Sequence, residues 1–336
     1  MSGRARDSAG LGVTPRAAVA LAIFVLLMAV APFFVSNYVL SVLVVVLFAA
    51  YFGQAWNLLM GIAGQLSLGH ALYVGLGAYA SAVLFVRFDL PPWLGMLVGM
   101  ALAALVGSLI AALSFRFSVT GVYFALLTIA FAEFTRVLFD HFGWVGATSG
   151  LFLPVANLAH DDLLFLRGST AMFYYCLLVL TLGALALSRY LLHRRIGYYW
   201  QAIREDQDAA QALGIDVFRY KVAAMALSAA MTALGGAFVA FYNNNLYPDT
   251  VFAVGQSIEI ITAPIIGGLG TLFGPILGAF VLTTLGEAMT SLSGIFGIDG
   301  LKQWFYGAVL LAIVALQPAG LWPWLRARLG LDETRR

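Results

Sequence analysis

The densest run of polar residues in the chain is the segment 202–215, with the sequence AIREDQDAAQALGI. Asp206 is of a residue type that caps a helix by accepting hydrogen bonds from backbone N–H groups. Gly214 suits the left-handed conformation that ends a helix. The segment therefore predicts a short helix with an acidic N-terminus. Such a helix suits docking into a groove on another protein, and the alternative is a solvated loop between longer elements.

No pattern that performs catalysis or binds a nucleotide accompanies this segment. A phosphate-binding loop requires Gly-x4-Gly-Lys followed by Ser or Thr, but Lys221 and Lys302, the two lysines, follow Tyr220 and Leu301. Neither Gly-x-Ser-x-Gly nor His-Glu-x-x-His occurs, and the histidines lack the spacing of a metal site. The single cysteine, Cys176, excludes an internal disulfide and a cysteine metal cluster. We therefore expect no enzyme, no metal and no cofactor bound by this chain.

The composition requires lipid as part of the solvent. The 336 residues are 62% hydrophobic and 10% charged, whereas a soluble domain is about 45–50% apolar and about 25% charged. The net charge is only +2, so no basic field suggests a nucleic acid partner.

The hydrophobic runs predict an all-α, polytopic membrane protein of about ten transmembrane helices. The two runs on either side of Gly270 are short, so the alternative is eight spans plus a broken or re-entrant pair. The predicted spans are 17–35, 39–60, 62–86, 93–115, 119–139, 170–192, 222–242, 254–269, 272–290 and 303–316.

The distribution of basic residues predicts the orientation of these spans. With ten crossings and a cytoplasmic N-terminus, of the 18 basic residues only Arg87, Arg136, Arg167 and Lys302 lie outside, as the positive-inside rule requires. Both termini are then cytoplasmic. The predicted regions are a cytoplasmic tail at 1–16, a membrane domain at 17–318 with an external loop at 140–169 and a cytoplasmic loop at 190–221, and a cytoplasmic tail at 319–336.

Two glycine-rich segments resemble each other. Within residues 68–79, a Leu-Gly pair is followed by Leu-Gly-Ala and an aromatic residue. The same residue types recur in 269–280 at a constant offset. Paired hydrophobic segments interrupted by Gly or Pro indicate a transport pathway in many transporters. The alternative is a chance match, because glycine is common in membrane helices. The glycines predicted to break helices are Gly61, Gly64, Gly69, Gly270 and Gly274.

Polar side chains inside the predicted spans are a further set of candidates. Ionisable groups in lipid are costly and usually face protein or water. Glu133 and Arg136 are one helical turn apart and predict a pair that neutralises itself. His70 suits either a hydrogen-bonded packing role or the lining of a pathway. The candidates for lining a pathway are Asn57, Gln65, Ser67, His70, Glu259 and Glu287.

Three stretches carry a resemblance to a known family: NLLMGIAGQLSLGHALYVGLGAY at 57–79, AIREDQDAAQALGI at 202–215 and IGGLGTLFGPILGAF at 266–280. In these motifs, and in their order and spacing, the chain resembles the LivM-like permease subunits of branched-chain amino acid ABC importers. The resemblance covers residues 37–318.

The resemblance gives the polar segment a role. Importer permeases carry a cytoplasmic loop with the pattern Glu-Ala-Ala-x3-Gly, which contacts the ATPase. Asp208, Ala209, Ala210 and Gly214 match it with Asp in place of Glu, and the Ile-x-Leu-Pro that follows in the wider pattern is absent. This departure concerns the detailed fold of the loop rather than docking. The implied ATPase-coupling residues are Arg204, Glu205, Asp206, Asp208, Ala209, Ala210 and Gly214.

The resemblance also implies an assembly in the bacterial inner membrane. Its expected members are a second, related permease subunit, two ATPase subunits that use ATP and Mg²⁺, and an external substrate-binding protein. The implied cargo is a branched-chain or related amino acid, or a small amide. The alternative is a secondary transporter driven by an ion gradient, with Glu133, Glu259 and Glu287 as candidate relays.

Overall fold

In the computed structural model, which describes residues 15–154, 161–296 and 300–328, nearly every element is a helix. Within these residues eight helices are long and apolar enough to cross a membrane. Two shorter apolar stretches, Phe24–Phe33 and Gln303–Ile313, stand where the first and last spans were predicted. The all-α polytopic prediction is confirmed. Much of the predicted tails and part of the 140–169 loop, at 1–14, 155–160 and 329–336, lie outside the described residues.

The helices follow the predicted order. They are α1 (Pro15–Val30), α2 (Asn37–Asn57), α3 (His70–Phe88), α4 (Pro92–Arg116), α5 (Gly121–His141), α6 (Thr170–Leu192), α7 (Arg195–Glu205), α8 (Gln207–Ala212), α9 (Val217–Asn243), α10 (Pro248–Val251), α11 (Val254–Gly267), α12 (Gly274–Phe296), α13 (Leu301–Leu316) and α14 (Leu321–Arg328).

Side-chain caps explain where several helices begin. The Ser169 hydroxyl accepts a hydrogen bond from the Met172 N–H at the start of α6 (3.3 Å). Asp216 accepts one from the Arg219 N–H (3.1 Å) and starts α9 at Val217. The sequence predicted that this helix begins at residue 222, because Arg219 and Lys221 are charged and stand before the apolar run. A cap beyond these charges lets the helix include them.

The third predicted span began at residue 62, but α3 begins at His70. The end of α2 continues into a π-helical turn, Leu58–Ile62, and Gly64 then adopts a positive φ of 70°. A π-turn is a local disruption of the regular ladder of hydrogen bonds. We call the resulting interruption, residues 58–69, the first break. Gly61, Gly64 and Gly69 all lie in it.

The region around Gly270 consists of two helices rather than one broken helix. α11 and α12 pack against each other in antiparallel directions, with Gly267 against Gly274 and Gly278 against Ala263. Gly270 has a positive φ of 73°, which suits glycine in the turn between them. We call the connection, residues 268–273, the second break. The last predicted break glycine, Gly274, is the first residue of α12.

Small residues allow the helices to approach closely in the core. α9 packs against α3 and α4, and α2 packs against α6, α11 and α12. Gly77 of α3 lies against the Ala233 carbonyl, and Gly236 of α9 lies against the Val74 carbonyl. In lipid, such close packing replaces hydrophobic burial as the source of helix association.

The bundle has two ends of different character. At one end, which we call the α7–α8 face, lie α7, α8, the second break and α14, whose Pro323 packs on Gly268. At the opposite end a short antiparallel pair joins β1 (Leu151–Phe152) to β2 (Asn245–Leu246).

Candidate functional site

The polar segment folds as two short helices with a sharp turn between them. α7 ends where Asp206 adopts an extended backbone conformation. The Asp206 carboxylate then accepts hydrogen bonds from the Asp208 N–H (2.9 Å) and the Ala209 N–H (3.0 Å). Gly214, with a positive φ of 85°, follows α8. The residue types that predicted a short helix therefore stand at its two ends.

α8 is attached to the bundle on one side and projects on the other. Ala210 is only 2% exposed and packs near Ile203 and Val217. Leu213, a large apolar residue, is 82% exposed at the end of the helix. An exposed apolar side chain rimmed by polar residues is typical of an interaction site. The exposed residues of this surface are Asp208, Ala209, Gln211, Ala212, Leu213 and Gly214.

α7 connects α8 firmly to the membrane helices. The Trp200 side chain is buried, and its indole N–H donates to the Tyr220 carbonyl of α9 at 2.8 Å. Gly197 packs on the backbone of Leu191 and Leu192, so no side chain separates α7 from the end of α6. A force applied to α8 therefore reaches both α6 and α9.

The Arg204 side chain is 38% exposed, and its guanidinium extends from α7 toward the breaks. One guanidinium nitrogen donates to the Gly61 carbonyl, and the other pairs with the Glu205 carboxylate at 2.8 Å. A Cβ atom added at Gly270 would lie 2.8 Å from the same nitrogen that reaches Gly61, and one added at Gly64 would lie 2.7 Å from the Arg204 Cγ. Arg204 thus fills the space between the first and second breaks.

Asn57, the last residue of α2 next to the first break, contacts the second break. Its side-chain amide donates to the Thr271 carbonyl (3.0 Å), and its carbonyl oxygen accepts from the Gly270 N–H (2.8 Å). The Gln54 amide donates to the Leu272 carbonyl at 2.7 Å. Interrupted helices leave backbone groups that must be satisfied inside the protein. Asn57 and Gln54 provide hydrogen-bond partners for the backbone of the second break and so join the two glycine-rich segments.

Ser67 of the first break and His70, the first residue of α3, belong to a buried network. Ser67 and His70 are completely buried. The two His70 ring nitrogens lie 3.3 Å from the Ser67 hydroxyl and 2.9 Å from the Ser228 hydroxyl. Gln65 donates to the Ala63 carbonyl at 2.9 Å. In this chain these candidates, like Asn57, are enclosed and hydrogen-bonded, so they hold the break in shape, and their role in a pathway stays a prediction.

The structure brings the other two candidates together elsewhere. Glu259 of α11 and Glu287 of α12 both lie in the neighbourhood of Tyr306 of α13. Gly286 packs against the Tyr306 hydroxyl. This group is separate from the network around His70, so the sequence candidates form two sites rather than one.

The predicted Glu133–Arg136 pair is present and has a third member. Arg136 donates to Glu133 at 2.8 Å and to Asp140 at 3.0 Å. All three lie on α5, which is the least buried of the membrane-length helices.

A buried cation beside α8 was missed by sequence reasoning. Lys221 contacts the Gln207 side-chain oxygen, and its ammonium lies 5.0 Å from the centre of the Phe115 ring. It borders a cavity of about 410 Å³ between α8, the end of α4 and the start of α9. The sequence identified Lys221 only as a basic residue near a span. The contacts of Gln54 and Thr271 were missed as well. Nothing in an apolar run of the sequence indicates that a polar residue in it will bond to a distant segment of the chain.

At the opposite end, Arg167 packs between aromatic rings. Its guanidinium lies 5.0 Å from the Phe85 ring centre and 5.5 Å from that of Phe241, and it donates to the Asn244 side chain. Burial lowers the pKa of the guanidinium below its ordinary value. Asn244 adopts a left-handed conformation that ends α9, so this region ties the end of α9 to the preceding loop.

Comparison with known proteins identifies the relatives of the chain. Residues 38–314 match the family described as the branched-chain amino acid transport system permease component. The high-affinity branched-chain amino acid transport system permease protein LivM of Escherichia coli is 26% identical over 331 residues, which cover 92% of this chain and 76% of that protein. The corresponding LivM of Salmonella typhimurium is 24% identical over 330 residues, with coverages of 90% and 74%.

A second type of relative also matches. The permease protein LivH of Escherichia coli is 24% identical over 283 residues, which cover 79% of this chain and 88% of that protein. No solved structure matches the chain. Because the family match extends over most of the sequence and the fold is a bundle of membrane-length helices, this multi-pass membrane protein belongs to the family of branched-chain amino acid transport permease components.

Proposed function

We propose that the chain is a pore-forming permease subunit of an ATP-binding-cassette importer. It translocates branched-chain or related amino acids, or small amides, handed over by an external binding protein. The relatives named LivM and LivH are both permease proteins of one kind of transport system, which supports a second, related permease subunit as the partner in the membrane. Two ATPase subunits complete the assembly and bind the ATP and Mg²⁺.

The observation that carries this proposal is the construction of α7 and α8. α8 presents an exposed apolar residue, Leu213, beyond a single buried anchor, Ala210. Trp200 and Arg204 connect the same segment to the membrane helices and to the breaks. A helix that is exposed on one side and mechanically connected on the other suits the transfer of a partner's movement into the bundle.

The mechanism is a two-state switch. ATP binding closes the ATPase subunits, and their movement displaces α8. The displaced helix favours one packing of the membrane helices over another, because it contacts the two states differently. Release of the hydrolysis products restores the first state. The chain itself supplies positions and connections rather than a reacting group.

In the proposed orientation the α7–α8 face lies in the cytoplasm of a bacterium, together with both termini. The basic residues of α14, Arg326 and Arg328, lie on that same face of the bundle, as the positive-inside rule requires. The opposite end, with β1, β2 and Arg167, then faces the external binding protein.

Replacement of Leu213 tests the docking surface. We expect Leu213→Asp to abolish copurification of the ATPase subunits and ATP-driven uptake, because a charge replaces the apolar contact while the side chain, 82% exposed, contributes little to packing in the bundle. The matched control for ATPase copurification is Leu164→Asp, which changes a leucine that is 59% exposed at the opposite end and should leave ATPase binding unchanged. Normal ATPase binding by Leu213→Asp would overturn the assignment of this surface.

Reconstitution separates the importer from a secondary transporter. The permease pair, the ATPases and the binding protein are placed in liposomes, and amino acid uptake is followed with ATP or with a proton or sodium gradient. We expect uptake to require ATP and every subunit. Gradient-driven uptake by this chain alone would contradict the proposal.

A further inference from the structure

We propose that Arg204 is the positioning residue that transmits movement of α7 and α8 to both glycine-rich breaks at once. This inference rests on the proposed function, because it needs an ATPase that moves α8. The sequence placed Arg204 among the expected ATPase-coupling residues. Its guanidinium reaches Gly61 and lies against Gly270, which makes it the connection between the docking surface and the interior.

The contacts of Arg204 form a line from the surface to the second break. At the outer end, the Glu205 carboxylate pairs with the guanidinium at 2.8 Å and is itself 73% exposed. At the inner end, the same guanidinium donates to the Gly61 carbonyl and lies against Gly270. A planar guanidinium holds several acceptors in fixed directions, which a flexible ammonium does not. Arg204 and Glu205 are adjacent at the end of α7, so a displacement of this end moves the guanidinium relative to Gly61 and Gly270.

Arg204 is 38% exposed on its outer side, but on the side of the breaks it is closely packed. A Cβ atom at Gly61 would lie 2.5 Å from the Gly270 nitrogen, and one at Gly270 would lie 2.7 Å from the Gly61 carbonyl oxygen. A Cβ atom at Gly64 would lie 2.7 Å from the Arg204 Cγ. Closely packed interiors transmit strain rather than damp it. Glycine is required at these positions because the arginine and the two breaks occupy the volume of its missing side chain.

Asn57 joins the end of α2, next to the first break, to the second break. It bridges the Gly270 N–H and the Thr271 carbonyl, so the end of α2 and the second break move as one body. The second break connects α11 to α12, and Gly53 of α2 packs against Pro264 and Pro275 of those helices at 3.2 and 3.3 Å. A shift of Arg204 therefore reaches α2, α11 and α12 together.

The first experiment measures coupling in the reconstituted importer. Arg204→Met keeps the length of the stem and removes every donor, and Arg204→Lys restores a charge and one donor. We expect Arg204→Met to bind the ATPases normally but to raise the ATP hydrolysed per amino acid transported by about tenfold, a typical allosteric coupling factor. Arg204→Lys should recover part of this loss. The matched control, Arg219→Met, changes an arginine whose side chain is 83% exposed near the start of α9 and should change nothing.

The outcomes distinguish this inference from the proposed function. If the unaltered chain binds no ATPase, the proposed function fails. If Arg204→Met binds ATPase and couples normally, only the role of Arg204 fails. A variant that loses stability and ATPase binding together would show a structural role and would also overturn the inference.

The second experiment needs no change at Arg204. Spin labels are attached through Tyr198→Cys, an exposed position of α7 outside the docking surface, and Leu269→Cys in a Cys176→Ser background, and the distance between them is measured with and without ATP in the full complex. We expect the distance to stay constant while other distances across the bundle change, since α7 and the second break move together. A label distance that changes with nucleotide would show that α7 moves independently of the break, and the inference would be wrong.

Discussion

Asn57 is a polar side chain buried where the packing supplies both a donor and an acceptor. We expect Asn57→Ala to lower the free energy of unfolding by about 1–3 kcal/mol, because the half-buried Gly270 N–H and Thr271 carbonyl lose their partner. Denaturant titration in detergent measures this loss. Asn243→Ala, at an exposed position near the end of α9, is the control and should change stability by less than about 0.5 kcal/mol. Equal effects at the two sites would mean that the bridge between the breaks contributes nothing.

Gly214 and Gly270 share a positive φ but differ in their surroundings. No atom lies within 4 Å of a Cβ added at Gly214, whereas one added at Gly270 meets the Gly61 carbonyl and Arg204. Asparagine tolerates the left-handed conformation better than other residues with a side chain. We therefore expect Gly214→Asn to leave the thermal unfolding midpoint nearly unchanged and Gly270→Asn to lower it sharply. Equal tolerance at both positions would contradict the close approach of the breaks.

At the scale of elements, α5 combines a largely exposed surface with three charged residues. Arg136 holds Glu133 and Asp140 together, and removing the arginine leaves two carboxylates one above the other. We expect Arg136→Leu to destabilise the protein by about 1–3 kcal/mol through the carboxylates left without their cation. Both carboxylates keep some exposure, which limits the effect.

The matched control for α5 neutralises the whole group. In the triple variant Glu133→Gln, Arg136→Leu and Asp140→Asn no charge remains to be compensated, so stability should return most of the way to that of the unaltered chain. Thermal unfolding in detergent compares the two variants. A triple variant less stable than Arg136→Leu alone would show that these side chains are needed for contacts other than with one another.

At the scale of the whole molecule, the orientation can be measured directly. Leu213→Cys and Leu164→Cys, each in a Cys176→Ser background, place a thiol at opposite ends of the bundle. We expect a membrane-impermeant maleimide added to intact cells to label the Leu164→Cys variant, and the Leu213→Cys variant only after the membrane is opened. Labelling in the reverse order would place α8 outside, where no ATPase could reach it, and would remove the basis of the proposed mechanism.

The relation between sequence and structure differs among the parts of the chain. The composition, the apolar runs and the residues Asp206 and Gly214 were sufficient to predict an all-α membrane bundle and a short helix between two spans, because these signals are local. The start of α9 was placed too late and the start of α3 too early. A cap by Asp216 and a π-turn at 58–62 depend on individual hydrogen bonds, which hydrophobicity does not register.

The polar segment and the two glycine-rich breaks were visible in the sequence as three separate features, and the family motifs at 57–79, 202–215 and 266–280 marked each of them. Only the tertiary structure decided that they meet. Asn57 and Gly270 are 213 residues apart in the chain, and the side chain of Arg204 could have pointed outward as easily as inward. Such contacts follow from the packing of helices distant in sequence, where the volume left free by glycines and the need to satisfy buried backbone groups select the partners.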